Sequence, residues 1–208
     1  MSAANCPPSV GRPRCFDIDQ ALEQALGVFW RKGYEGTSLT DLTEAMGINK
    51  PSLYAAFGNK EQLFLKAIEL YENRPCAFFY PALTQPTALA VAEFMLYGAA
   101  RSYADSSLPQ GCLVVQGALS CSEAAASVKQ ALITRRREGE QALFQRFEAA
   151  QQEGDLPADI NPKVLARYIG TVLQGMAIQA THGVSSDDLL QVARLALSNF
   201  PRRPEPSA

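Results

Sequence analysis

The fold is decided by the stretch from residue 36 to residue 64, which reads Gly36-Thr-Ser-Leu-Thr-Asp-Leu-Thr-Glu-Ala-Met-Gly-Ile-Asn-Lys-Pro-Ser-Leu-Tyr-Ala-Ala-Phe-Gly-Asn-Lys-Glu-Gln-Leu-Phe64. Its apolar spacing predicts two short helices joined by a tight turn at Gly47, with a further helix directly behind them. Two helices arranged in this way form a helix-turn-helix, which places the end of its second helix in the major groove of DNA. The stretch therefore predicts a DNA-reading element.

Each helix of this motif carries its own start and stop signals. Ser38 can cap the first helix, and Asp41 lies at the position that completes a capping box. Asn49 can cap the second helix, whose first turn tolerates Pro51. Gly58 is the residue expected to end that helix. These local signals place the helix boundaries without reference to the rest of the chain.

The whole chain predicts an all-α protein with two domains. Apolar residues recur with helical periodicity, and no strand pattern stands out. Pro75, Pro81 and Pro86 interrupt the pattern and mark a domain boundary. We expect a disordered tail at 1–11, an N-terminal three-helix helix-turn-helix DNA-binding domain at 12–74, a C-terminal helical ligand-binding and dimerisation domain at 75–200, and a polar tail at 201–208.

Composition narrows the class of protein. The chain has 208 residues, 47% of them hydrophobic and 19% charged, with a formal net charge of -2. That net charge argues against binding nucleic acid through bulk electrostatics, but residues 45–60 contain two lysines and no acid. No apolar run is long enough to span a membrane, and no secretory signal is recognisable. Five widely spaced cysteines fit a reducing compartment better than a disulfide framework, so we expect a cytoplasmic protein.

The second helix of the motif should present its leading edge to DNA. Lys50 can reach a guanine edge or a phosphate, Ser52 a base or the backbone, and Tyr54 a phosphate. Pro51 and Ala55 can touch thymine methyl groups. Further phosphate contacts are expected near helix N-termini and from the basic arm that precedes the domain. The remaining candidates are therefore Thr37, Ser38, Lys60, Arg12 and Arg14.

Three segments resemble the TetR/AcrR family of bacterial repressors. They are Arg12-Pro-Arg14, Gly33-Tyr-Glu-Gly-Thr-Ser38, and Ile48-Asn-Lys-Pro-Ser-Leu-Tyr-Ala-Ala-Phe57 followed by Gly-Asn-Lys-Glu61. The resemblance covers about the first third of the chain. It implies a homodimer that binds a palindromic operator in double-stranded DNA and releases it when a small-molecule effector enters the C-terminal domain. It also implies DNA contacts by Lys50, Ser52, Tyr54 and Lys60.

The sequence of the predicted C-terminal domain suggests a dimer face and an effector cavity. The last two helices have wide apolar stripes with small residues at Ala177, Ala180, Ala193 and Ala196, so two copies could form a four-helix bundle, unless these stripes face only their own domain. The central helices would surround the cavity, and Gln116 is the polar candidate among apolar neighbours. The candidate wall residues are Phe94, Tyr97, Tyr103, Leu113, Gln116, Phe144, Phe147 and Met176.

Two alternatives use cysteine chemistry. Cys112 and Cys121 could sense a soft metal or an oxidant, although their spacing matches no metal-binding motif. A helical thiol-dependent enzyme would need a base beside its nucleophile, and His182 is the only histidine in the chain. No glycine-rich phosphate loop appears, so the sequence predicts neither a cofactor nor an enzyme. We interpret the charged run from Arg135 to Glu140 as an exposed, salt-bridged helix face.

Overall fold

The computed structural model of the chain describes residues 16–119 and 125–202. Within these residues every regular element is a helix, which agrees with the all-α prediction. None of the described helices combines the length and the hydropathy needed to cross a bilayer. The helices are α1 (Ile18–Lys32), α2 (Leu39–Met46), α3 (Lys50–Phe57), α4 (Lys60–Asn73), α5 (Phe79–Leu83), α6 (Ala88–Tyr103), α7 (Leu113–Leu119), α8 (Ala126–Gln152), α9 (Pro162–Thr181) and α10 (Ser186–Ser198).

The predicted capping signals of the helix-turn-helix are confirmed. The hydroxyl oxygen of Ser38 accepts a hydrogen bond from the backbone N–H of Asp41 at 3.0 Å, and the Asp41 carboxylate accepts from the backbone N–H of Ser38 at 2.8 Å. Asn49 caps α3 by accepting from the N–H of Ser52 at 2.9 Å. Between the two helices Gly47 adopts the left-handed conformation, with φ of 65°. The caps and this turn set the angle between α2 and α3.

An aromatic core joins α1 to α4. Phe29 packs edge-on against Phe64 with ring centroids 5.0 Å apart, and Trp30 packs edge-on against Tyr71 at 4.8 Å. All four side chains are buried. Aromatic pairs of this geometry add to the free energy of burial, so α4 is held firmly on α1. We call α1 to α4, residues 18–73, the reading head.

We call α5 to α10, residues 79–198, the body. It is a helical bundle in which α8 packs on α9, while α6 packs on α9 and α10. At its edge, one feature differs from the sequence-based expectation. Pro81 was expected only to interrupt helical structure, but it lies within the short helix α5. Its position in the first turn explains this, because a backbone N–H there has no partner inside the helix. α5 packs on α6 and α8, close to the junction between the reading head and the body.

The turn at Gly47 yields a prediction on stability. In Gly47→Ala the added Cβ meets nothing within 4 Å, so only the positive φ opposes the change. We expect the free energy of unfolding to fall by about 1 kcal/mol. Gly27→Ala is the matched control, because Gly27 lies inside α1 and its Cβ would only touch the flexible Arg31 side chain.

The control variant should gain about 0.5–1 kcal/mol, since alanine favours a helix interior over glycine. Urea unfolding of both variants measures the two changes. Equal shifts of the same sign in both variants would contradict the assignment of Gly47 to a left-handed turn.

Candidate nucleic-acid interface and internal cavity

One side of α3 faces outward from the reading head. Leu53 and Phe57 are buried, whereas Tyr54 is 48% exposed. Exposed Lys50 stands at the first position of the helix, where its ammonium group can reach a phosphate or a base edge. The remaining predicted contacts on this helix are exposed Pro51 and Ala55 and half-buried Ser52. The outward side therefore carries a cation, hydroxyl groups and small apolar groups at the leading end of the helix.

Electrostatic contacts hold α2, the helix that packs against α3, to α1. The Lys32 ammonium on α1 donates to the Asp41 carboxylate at 2.5 Å, and Ser38 adds its N–H and its hydroxyl. These hydrogen bonds hold the pKa of Asp41 well below its usual range, and the bond from Lys32 lowers it most. Asp41 thus both completes the capping box of α2 and links α2 to α1.

Some predicted phosphate contacts have other roles. Thr37 is only 1% exposed and donates its hydroxyl to the Gly33 carbonyl at 2.6 Å, so its side chain does not face solvent as we expected. Ser38 is exposed but its hydroxyl serves the capping box. The Lys60 ammonium lies 4.5 Å from the centroid of the Tyr34 ring, and burial lowers the pKa of Lys60. Arg12 and Arg14 lie outside the described residues.

A cavity of about 340 Å³ lies where the reading head meets the body. This is within the size range of small-molecule sites. α4 contributes Tyr71 and Glu72 to its wall, and α8 contributes Arg136. The other lining residues come from α5 to α9 and from the segments that precede α5 and α7: Cys76, Phe79, Tyr80, Tyr103, Cys112, Val114, Val115, Ile133, Arg135, Arg137, Gly139, Glu140, Leu143, Ala166, Gly170, Leu173 and Gln174.

Most of the residues that the sequence suggested as cavity walls lie away from this cavity. Of the predicted residues only Tyr103 lines the cavity, and Phe94, Tyr97, Leu113, Gln116, Phe144, Phe147 and Met176 do not. Phe94 is 42% exposed, and buried Phe147 packs edge-on against Phe200. Gln116 donates its amide to the Gln110 carbonyl at 3.0 Å, so this polar side chain fixes a loop.

Known proteins match both parts of the chain. Residues 21–67 match the bacterial regulatory proteins of the tetR family, and residues 94–197 match the tetracyclin repressor-like C-terminal domain. The HTH-type transcriptional repressor ComR of Escherichia coli K12 is 34% identical over 93% of each chain. The chain belongs to the TetR family. It is therefore a DNA-binding transcriptional regulator and not an enzyme, which rules out the thiol-dependent enzyme.

Solved structures of TetR-family proteins share the fold. A cysteine-substituted variant of the regulator CifR, complexed with 26bp double-strand operator DNA, is 40% identical and superposes with a TM-score of 0.87, covering 91% of this chain and all of that one. A putative TetR regulator from Rhodococcus sp. RHA1 is 38% identical, with a TM-score of 0.63 over 88% of this chain and 98% of that one. In both comparisons the likeness extends over reading head and body alike.

The charged run on α8 is salt-bridged as expected, but Arg135 and Arg136 are half-buried rather than exposed. Arg135 pairs with Glu72 and, at 3.6 Å, with Glu69, both of which lie on α4. Arg136 is half-buried, and its Nη2 donates to the Gln174 side chain on α9 at 2.7 Å. The run therefore joins α8 to its neighbours around the cavity of this TetR-family body. Sequence reasoning missed these residues because their partners lie far along the chain.

The environment of Cys76 and Cys112 does not favour the cysteine-sensing alternative. Burial raises the pKa of Cys112 and of Cys76, so both remain protonated at neutral pH, whereas the thiolate is the nucleophile and the metal ligand. Within residues 16–119 and 125–202, no three His, Cys, Asp or Glu side chains are grouped to hold a metal ion. Cys121 lies outside those residues.

The depressed pKa of Asp41 predicts a pH dependence. Its carboxylate stabilises the fold above its unfolded pKa of about 3.9, and this contribution is lost as the pH falls through the lower folded pKa. The natural chain should therefore be more stable than Asp41→Asn at neutral pH, and the gap should close in acid. Glu44→Gln, at an exposed position on the same helix, is the control and should show no such gap. Thermal unfolding across pH measures both; a gap for Asp41→Asn that persists in strong acid would contradict the assignment.

Proposed function

We propose that this chain is a transcriptional repressor that binds a palindromic operator as a homodimer and releases it when a small molecule occupies the cavity. The single observation that carries the DNA-binding step is the outward leading edge of α3, with exposed Lys50 and Tyr54. The operator complex of the similar regulator CifR supports the same partner. Operator binding would place the chain in the cytoplasm, with the chromosome.

A second copy is needed because one α3 offers few contacts. Recognition helices of a symmetric dimer enter successive major grooves about 34–36 Å apart. α9 and α10 supply the proposed dimer face. Val164 on α9 is 64% exposed and Leu195 on α10 is 68% exposed, with Tyr168 and Val192 also exposed on the same two helices. Large apolar side chains left in solvent favour burial against an identical surface.

α4 provides the route from cavity to DNA. Its first residue, Lys60, stands beside the helix-turn-helix, and its Tyr71 and Glu72 form part of the cavity wall. Tyr71 also packs against Trp30 of α1. A ligand that displaces the cavity end of α4 would therefore move the reading head. In this proposal α4 has two positions, and binding of the effector would favour one of them.

The switch is a population shift between two states. One state holds the two reading heads at the spacing of the operator, and the effector binds the other state more tightly. To lower operator affinity tenfold, the effector needs about 1.4 kcal/mol of differential affinity between the states. Interactions at one cavity can supply a difference of this size.

Substitutions on α3 test the DNA contacts. Tyr54→Phe removes only the hydroxyl and should weaken binding to all duplexes alike, because a phosphate contact carries no sequence information. Lys50→Ala should relax base preference by about 1–3 kcal/mol at one position of the operator, if its ammonium group reads a guanine edge. Fluorescence anisotropy with operator and scrambled duplexes, repeated at several salt concentrations, measures both.

Lys129→Ala, at an exposed position on α8, removes the same charge from the body and is the control. It should leave operator affinity unchanged. Equal affinity of Tyr54→Phe and the natural chain would remove the proposed phosphate contact, and an unchanged base preference of Lys50→Ala would reassign that lysine to the DNA backbone.

The proposed dimer face makes a separate prediction. Leu195→Asp should yield a monomer in analytical ultracentrifugation and lose high operator affinity, since burying an unpaired charge is unfavourable. Phe94→Asp places the same charge at an exposed apolar position on α6 and should remain a dimer. Dimers formed by Leu195→Asp, or monomers formed by Phe94→Asp, would move the interface away from α9 and α10.

A further inference from the structure

Arg136 stands out among the residues that line the cavity. Its Nε is buried and finds no hydrogen-bond partner within residues 16–119 and 125–202, while its Nη2 donates to Gln174 at 2.7 Å. No carboxylate of the described residues forms an ion pair with it. A buried guanidinium donor without an acceptor is unfavourable, and a ligand that brings an acceptor would relieve this penalty.

The carboxylates at the same cavity are already paired. Glu72 pairs with Arg135, and Glu140 accepts two hydrogen bonds from Arg167, at 2.7 Å and 3.0 Å. Arg137 adds another positive charge at the exposed side of the cavity wall. Among the described residues, the cavity wall therefore has a surplus of positive charge and no uncommitted carboxylate for a cation.

Apart from these charges, the cavity wall is mainly apolar and aromatic. Phe79, Tyr103, Val115, Ile133 and Leu173 are among its lining residues. The Tyr71 hydroxyl is also buried there without a well-aligned partner. It lies beside the thiols of Cys76 and Cys112, which are weak hydrogen-bonding groups. The Tyr71 hydroxyl is thus a second buried donor of the cavity wall.

We infer that the effector is a small organic acid, whose carboxylate binds the Arg136 guanidinium and whose apolar part lies against Phe79, Val115 and Leu173. The planar guanidinium presents its Nε and Nη2 hydrogens side by side. In this geometry it can donate two parallel hydrogen bonds to the two oxygens of one carboxylate. The Gln174 amide would exchange its contact with Nη2 for one with the ligand. This inference rests on the proposed function, because it names the ligand of the same cavity.

The binding step also affects α4. Arg136 is next to Arg135, which pairs with Glu72 and Glu69 on α4. A carboxylate bound to Arg136 adds a negative charge beside the Arg135–Glu72 pair. It would compete with Glu72 for electrostatic attraction to Arg135. Weakening that pair would loosen the hold of α8 on α4 at its cavity end. The same anion thus has a physical route to the reading head.

The test compares charged and uncharged versions of the same compounds. Benzoate, phenylacetate and hexanoate, and their primary amides, are titrated into the full chain at neutral pH by calorimetry, and Trp30, the only tryptophan, gives a second signal through its contact with Tyr71. We expect at least one acid to bind at least tenfold more tightly than its amide, a difference of about 1.4 kcal/mol.

Variants assign the charge effect to Arg136. Arg136→Gln should lose that tenfold preference for the acid, and its affinity for the amide should not change. Arg101→Gln removes the same charge from an exposed position on α6 and should behave as the natural chain. Arg136→Lys, which keeps the charge but not the fork of donors, should show an intermediate preference and serves where the glutamine variant does not fold.

The outcomes are distinct. Three results would overturn the inference. They are acids that bind no better than their amides, a preference for the acid that remains in Arg136→Gln, and no binding by any of the three acids. Operator affinity is measured separately with each compound present. An acid that binds through Arg136 without weakening operator binding supports the ligand class but contradicts the proposed release of the operator. Release of the operator by the amides alone supports the proposed release but contradicts the ligand class.

Discussion

The contact between Tyr71 and Trp30 is the interaction on which the two halves of this molecule depend. It fixes α4 to α1 inside the reading head, with ring centroids 4.8 Å apart. The same Tyr71 side chain forms part of the wall of the cavity between the reading head and the body. Because α4 begins at Lys60 beside the helix-turn-helix, the displacement proposed at its cavity end would reach α3 through one rigid helix. The packing of a single buried aromatic pair thus connects the wall of the cavity to α1 of the reading head.

The reading head could be predicted from the sequence because its signals are local. A capping box joins residues three positions apart, and the left-handed turn at Gly47 needs a residue without a Cβ. Such relations do not depend on the rest of the fold. Thr37 shows the limit of this reasoning. Its residue type suits a phosphate contact at a helix start, but tertiary packing buries it and directs its hydroxyl to the Gly33 carbonyl.

The cavity could not be located in the same way, because its polar contacts join residues far apart in the chain. Arg135 meets Glu72, and Arg136 meets Gln174, through the packing of α8 on two different helices. One signal was nevertheless present in the sequence. Leu132 and Leu143 are buried on α8, and Arg136 lies one turn beyond Leu132 on the same stripe. A charged residue on an apolar stripe indicates either a buried ion pair or a ligand site, and here no carboxylate of the described residues pairs with it.

The measurement that tests the central claim most directly is selection of bound fragments from random double-stranded DNA by the purified chain, at moderate salt and without effector. If α3 reads base edges from a symmetric dimer, the enriched fragments will share two inverted half-sites whose centres are about one helical turn, or a whole multiple of it, apart. Enrichment of no common sequence, or retention of scrambled competitor as strongly as selected DNA, would contradict the account.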